Sequence, residues 1–264
     1  MLRKPILALV LSVTLATGVA ALASAASVKV RSGKVVITLG GNVSPKAMPK
    51  NRYVPVKTNV FGRIGMSDAS HPPALREVVV DIDKDAKVNG KGYPVCKAGK
   101  LQARDTRAAR KACGRATIGG GLAHAEIAFP EQTPIKVRSP ITVFNGGKQG
   151  GKTLMLVHTF ITVPVPAAIV TRVTIQKKGR GLRAVARIPV IAGGSGSAID
   201  FKFRVGKTYG FRGRQVGYFE ARCPDGKFRV RSPKILLRNE AQTPGVAART
   251  LLKGSFLAPC TPKG

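Results

Sequence analysis

Ile141–Val163 reads ITVFN-GGKQGGK-TLMLVHTFITV. Two runs rich in β-branched and aromatic residues flank a glycine-rich break, the pattern of a β-hairpin. The second run is apolar at nearly every position: Leu154, Met155, Leu156, Val157, Phe160, Ile161 and Val163. A strand of that kind is covered on both faces, so the hairpin belongs near the middle of a core. Gly146-x-x-x-x-Gly151-Lys152-Thr153 also fits the phosphate-binding loop pattern. That chemistry needs a helix to start at the lysine, with its positive end toward the phosphate. Here Thr153–Val163 reads as strand, and Val78-Val79-Val80-Asp81, which could end a magnesium-binding strand, lies upstream. The glycines are therefore expected to form a loop between two strands, and no nucleotide cofactor is expected.

Outward from the hairpin, the same strand grammar recurs. Tyr53–Ile64 and Leu75–Asp83 alternate enough to be strands. Ala198–Val205 sets Phe201, Phe203 and Val205 against Lys202 and Arg204. Leu182–Ile191 alternates Leu182, Ala184, Ala186 and Ile188 with Arg183, Val185 and Arg187. Lys227–Leu237 repeats the scheme, with Phe228 and Val230 opposed to Lys227, Arg229 and Arg231. Gly119–Gly121 permits a bulge inside Arg115–Phe129. One apolar face and one basic face, strand after strand, predicts a mainly β protein built as an antiparallel β-sandwich. Residues 51–264 are read as one large sandwich domain, or as two packed β halves dividing near 145–166. Residues 26–50 are read as a basic, partly mobile lead-in.

The clear helical signal is Asp105–Cys113 (DTRAARKAC), with alanines at 108, 109 and 112 and Gly114 as a stop. Four cysteines allow three pairings. The nearest-neighbour set, Cys96–Cys113 and Cys223–Cys260, is favoured, each bridge adding roughly 3–4 kcal/mol in the chain-entropy model. The first bridge would pin the short helix. Zinc fits poorly, because the cysteines lie far apart and form no Cys-x-x-Cys.

The start of the chain predicts export. Arg3 and Lys4 precede an apolar run, Ile6–Leu22, and Ala23-Ser24-Ala25 supplies small residues at cleavage spacing. Residues 1–25 read as a signal peptide cut after Ala25. The run is short for a spanning helix, so no transmembrane span is expected after signal removal. The net charge of +33 falls only to +31 on removal, since that segment holds two basic residues and no acid. Such a charge predicts adhesion to polyanions: an anionic cell-wall polymer or polysaccharide, with the protein secreted and cell-wall associated. No specific nucleic acid is expected, because the basic positions lack interleaved aromatics. Arg104, Arg107, Arg110 and Lys111 crowd one side of the short helix, the best local candidate for polyanion contact.

Catalytic signals are sparse. Twelve acids are scattered, and no pair marks a glycosidase. Asp81-x-Asp83-x-Asp85 opens like a calcium loop, but Ala86 and Gly92 occupy the positions that need glycine and glutamate. It reads as a solvated strand end. His71 has no partner nearby in sequence, and His158 inside an apolar strand reads as a core histidine. No metal ligand set is seen. A non-catalytic, cell-envelope-associated role is expected. The alternatives are a secreted hydrolase or lyase with a site assembled from distant residues, in which a histidine among His71, His124 and His158 meets an acid, and a purely structural envelope protein.

Several stretches carry a resemblance: Leu75 to Cys113, Phe144–Gly147 (FNGG), Ile188–Ser197 (IPVIAGGSGS), Ala221–Gly226 (ARCPDG) and the terminal CTPKG. Together they resemble a group of secreted actinobacterial β-rich proteins of unknown function. The resemblance implies a high-GC Gram-positive type of source, a signal peptide, a β-rich fold and a hairpin loop at Gly146–Thr153. Its motifs are turns, cysteines and glycines, so it assigns no functional residue.

Overall fold

A computed structural model describes residues 26–129 and 132–264. The expected signal peptide, residues 1–25, lies outside the described residues. In chain order the elements are β1 (Ala26–Ser32), β2 (Val35–Ser44), β3 (Ala47–Pro49), β4 (Val54–Met66), β5 (Ala74–Ile82), β6 (Ala86–Val88), the helix α1 (Thr106–Cys113), β7 (Thr117–Ile127), β8 (Ile135–Gln149), β9 (Lys152–Ile161), β10 (Ala167–Lys178), β11 (Gly181–Arg187), β12 (Gly196–Val205), β13 (Thr208–Phe211), β14 (Arg214–Gly217), β15 (Phe219–Ala221), β16 (Lys227–Arg238), β17 (Arg249–Pro259) and β18 (Thr261–Lys263). Strands take 62% of the described residues and helical turns 7%, so the fold is mainly β.

The β8–β9 hairpin forms as its sequence requires. Gln149 pairs with Lys152, leaving Gly150 and Gly151 as a two-residue loop with φ of 54° and 75°. Positive φ at both positions is the type I′ geometry that matches strand twist, and glycine adopts it without strain. Lys152 opens a strand rather than a helix, so the phosphate-loop pattern is a hairpin turn. Thr153, Leu154, Met155 and Leu156 are buried in succession, as a doubly covered strand demands. On one face Phe144, Leu154 and Leu156 pack with Leu101, Ala109 and both cysteines of the Cys96–Cys113 bridge. On the other, Ile141, Val143 and Met155 pack with Ile118, Ile175 and Val205. Each such side chain contributes about 1.5–3 kcal/mol when fully buried. The helix begins where its cap allows: the Asp105 side chain accepts the Ala108 N–H at 2.7 Å.

The sandwich expectation is corrected. The main sheet follows one path, β1-β2-β4-β12-β7-β8-β9-β10-β11-β5-β16-β17, antiparallel at every step. Its two end strands come side by side, with Gly254 of β17 against Val28 and Val30 of β1. The sheet is therefore a nearly closed barrel. Alternating apolar and basic faces suit either architecture. Closure depends on β12 entering between β4 and β7, and on β5 entering between β11 and β16. Apolar side chains fill the interior and charged ones stand outside, the reverse of a lipid-facing barrel.

Residues 26–50, read as a basic, partly mobile lead-in, supply β1, β2 and β3. Gly40 marks a close approach: a Cβ there would lie 2.3 Å from the Phe61 ring. Gly121 has the same role in β7, where a Cβ would stand 2.1 Å from the Lys202 carbonyl oxygen. The expected irregularity is present too, as a register shift between Thr117 and Gly119. At the far end, Cys223–Cys260 ties the segment after β15 to the chain end, where β18 pairs in parallel with β3.

Candidate anion-binding surface

The described acids are almost all engaged inside the protein. Asp81 accepts two bonds from Arg183, at 2.6 and 2.8 Å, and one from Lys178 at 3.0 Å. The Arg183 guanidinium, backed by Lys178, holds its carboxyl down at about 2. Glu77 meets Lys234 at 3.0 Å and Arg187 at 3.7 Å. Asp83 accepts the backbone N–H groups of Asp85 and Arg229. Asp85, only 1% exposed, pairs with Arg222 at 2.7 Å. The Asp81–Asp85 run is thus not the solvated strand end its spacing suggested, because each carboxylate is matched to its own donor. Asp68 pairs with Lys34 at 2.8 Å, Glu240 with Arg76, and Glu220 accepts the Gly217 N–H. Asp105 caps α1, and Asp225 stands exposed. Ion pairs occupy Lys34, Arg76, Lys178, Arg183, Arg187, Arg222 and Lys234. Most of the Lys and Arg side chains among the described residues are in no ion pair there.

This matching is uneven around the barrel. Glu77, Asp81, Asp83 and Asp85 all lie on β5 or just after it, so they neutralise the β10-β11-β5-β16 side. The outer face of β1-β2-β4-β12-β7-β8 has no such strand. Its register aligns Lys29 with Thr38, Thr38 with Arg63, Arg63 with Asp200, Asp200 with His124 and His124 with Arg138. That row crosses six strands, roughly 24 Å at the usual strand spacing. Its one acid, Asp200, bonds His124 Nδ1 at 2.8 Å. Arg31, Lys57, Lys136, Lys202 and Arg204 stand exposed around the row. Over β1, β2 and β4 the face dips into a cleft of about 680 Å³ lined by Lys29, Arg31, Thr38, Arg63 and Ser67. Arg31 is fixed there, its Nε donating to the Gly33 carbonyl at 2.8 Å and its Nη2 to Ser67 Oγ at 3.2 Å. Arg204 donates to Asn59 Oδ1 at 2.8 Å, and Asn59 to Asn42 Oδ1 at 2.6 Å, a polar ladder across three strands.

Comparison with protein-family models, curated proteins and solved structures finds no match for this chain.

Arg104, Arg107, Arg110 and Lys111 are all exposed on or just before α1. The helix lies on the outer side of β8 and β9, where Arg110 Nε donates to Thr142 Oγ1 at 3.2 Å. Arg138 sits four residues earlier on β8, on the same outer side as Thr142. The helical ridge therefore adjoins the strand row. Sequence reasoning found the ridge and missed the row, because its members come from six separate strands. The alternation of basic residues on each strand was the only available signal.

The histidines do meet acids. His71 Nδ1 lies 3.4 Å from Glu126, with its side chain 7% exposed, and His124 meets Asp200. Burial lowers the His71 pKa against the opposing pull of Glu126. Among the described residues neither histidine is hydrogen-bonded to a hydroxyl or thiol, the contact an activated nucleophile requires. Ser197 lies across from Glu126 in register, buried with its Oγ unpartnered. His158 is a core residue: it is buried and its Nε2 donates to the Arg104 carbonyl at 2.9 Å, tying β9 to the segment before the helix. Among the described residues no group of three His, Cys, Asp or Glu side chains is placed to hold a metal, and no helix is long and apolar enough to cross a membrane.

Proposed function

We propose that this is an exported, non-catalytic envelope protein that holds an anionic polymer on the outer face of β1, β2, β4, β12, β7 and β8. One observation carries the reading. The acids along β5 are matched to internal donors, while the row from Lys29 through Arg63 to Arg138 holds a single acid, Asp200, which bonds His124, and Lys29, Arg63 and Arg138 are in no ion pair among the described residues. A repeating polyanion supplies the missing charge along a row roughly 24 Å wide, releasing counterions as it binds. The ridge of Arg104, Arg107, Arg110 and Lys111 extends the same surface. A wall polymer or acidic polysaccharide fits better than nucleic acid, because the row itself carries no aromatic side chain and the ring beside it, Phe61, lies half-buried over Gly40 rather than standing free for base stacking. Two disulfides favour an oxidising compartment, in keeping with cleavage of a signal peptide after Ala25. The resemblance to secreted actinobacterial proteins points the same way.

The test is co-sedimentation with purified cell-wall sacculi across a salt series. Bound protein should fall steeply as salt rises, since exposed charges are screened beyond about 8 Å at physiological ionic strength. The triple variant Lys29→Gln, Arg31→Gln, Arg63→Gln should release at lower salt than the parent. Absence of binding at low salt, or binding indifferent to salt, refutes the proposal.

A further inference from the structure

A second charged site lies further round the barrel, on β10 and β11. Arg172 of β10 and Arg187 of β11 are direct cross-strand partners. Like charges so placed destabilise a sheet. Four residues along on the same face, these strands handle charge differently: Arg183 faces Gln176 and is held by both oxygens of Asp81. At the Arg172–Arg187 step there is no such match. Arg172 makes no ion pair or side-chain hydrogen bond among the described residues. Arg187 is 74% exposed and reaches Glu77 at 3.7 Å, while Glu77 is held more closely by Lys234 at 3.0 Å.

The two arginines border a cleft of about 400 Å³ on the outside of β9, β10 and β11. Its other walls are mainly apolar, with Leu154, Val170, Val185 and Ile188, while Thr174 adds a hydroxyl. Leu154 and Val170 belong to the layer that packs under the helix, so this wall is fixed. The apolar character extends beyond the cleft. Val163 and Val165, in the loop between β9 and β10, and Val190, just after β11, are among the most exposed large apolar side chains and lie at this same end of the strands.

We infer that this cleft binds a phosphomonoester carrying an apolar chain, with the phosphate between Arg172 and Arg187 and the chain along Val170, Val185 and Ile188. Two adjacent guanidinium groups match a group of charge near −2 with three acceptor oxygens. A carboxylate offers half that charge. The apolar wall sets an alkyl phosphate apart from free phosphate. The site shares no residue with the basic row across β1, β2, β4, β12, β7 and β8 and stands or falls apart from it.

Calorimetric titration of the full protein with hexyl phosphate, hexanoate, inorganic phosphate and hexanol tests this. Hexyl phosphate should bind saturably, at least about tenfold more tightly than inorganic phosphate or hexanoate, with hexanol weaker still. Arg172→Gln and Arg187→Gln should each weaken hexyl phosphate by about tenfold or more. Arg231→Gln, an exposed arginine elsewhere on the barrel, should leave it unchanged. The two cleft variants should also keep the parent's sedimentation with sacculi, which separates this site from the polymer-binding face. Equal affinity for inorganic and hexyl phosphate, equal affinity for hexanoate, no saturable binding, or full retention in both cleft variants overturns the inference.

Discussion

Asn145 is the position where the hairpin, the disulfide loop and the aromatic core are joined, and replacing it with alanine should be among the most damaging single changes. Its side chain is fully buried and makes four hydrogen bonds. Nδ2 donates to the carbonyls of Tyr93 at 3.3 Å and Pro94 at 2.9 Å. Oδ1 accepts from the Gly147 N–H at 3.0 Å and the Tyr218 hydroxyl at 3.1 Å. Tyr218 has no solvent exposure, and burial raises its pKa, so the hydroxyl stays protonated and has no water to turn to. Asn145→Ala strands two buried donors at about 1–2 kcal/mol each and leaves two carbonyls short of a donor. The expected loss is about 3–5 kcal/mol. For a chain of this size that is a fall in Tm of about 10 °C. Tyr218→Phe removes one partner and should cost about 1–2 kcal/mol. The double variant should fall short of the sum by about 1 kcal/mol, since the two groups share a bond. Urea unfolding of the oxidised protein, followed by far-UV circular dichroism, measures all three. A loss below about 1 kcal/mol for Asn145→Ala, or strict additivity with Tyr218→Phe, would refute the claim that this amide organises the hairpin.

Two further outcomes concern stability. Replacing Cys96 and Cys113 with serine opens a loop of sequence separation 17, and replacing Cys223 and Cys260 opens one of 37. Each pair should cost about 3–4 kcal/mol, with helical signal lost from the first pair, and an unchanged melting curve would contradict the structural role of the bridges. Stability should also fall as pH drops from 7.5 to 5. Burial holds His71 and His158 below the ordinary value of 6.5, so the unfolded chain takes up protons there first and their contribution is complete only above that pH. Asp81, at about 2 against 3.8, adds a loss of about 1 kcal/mol between roughly pH 4 and 2, after discounting for solvent around the pair. A urea midpoint that is flat or rising toward pH 5 would rule out neutral buried histidines, and His158→Gln, which keeps a donor for the Arg104 carbonyl, should flatten part of the slope.

Much of this molecule is local in its causes, and that part was readable from residues. The run Leu154–Val157 is apolar on consecutive positions because β9 is covered by the helix on one side and the barrel interior on the other. Gly150 and Gly151 define a turn geometry that other residues adopt only with strain. Asp105 and the alanines set the helix, and cysteines near in sequence found each other. Along each strand, alternation separated the apolar face from the basic one.

Closure, charge matching and the sites depended on which strands become neighbours. Alternation fixes the two faces of a strand and is silent about its partners, so a sandwich and a barrel read alike. The position of β5 decides that Arg183 meets Asp81 and Arg222 meets Asp85, and it leaves Lys29, Arg63 and Arg138 outside any ion pair among the described residues. The pairing of β10 with β11 decides that Arg172 stands directly beside Arg187. Those residues are far apart in the chain, and the energies that bring them together come from burying the interior, to which the outward-facing arginines contribute nothing. The sequence alone determined that the strands are basic on one face. Only the tertiary structure decided where that charge is neutralised and where it is left for a ligand.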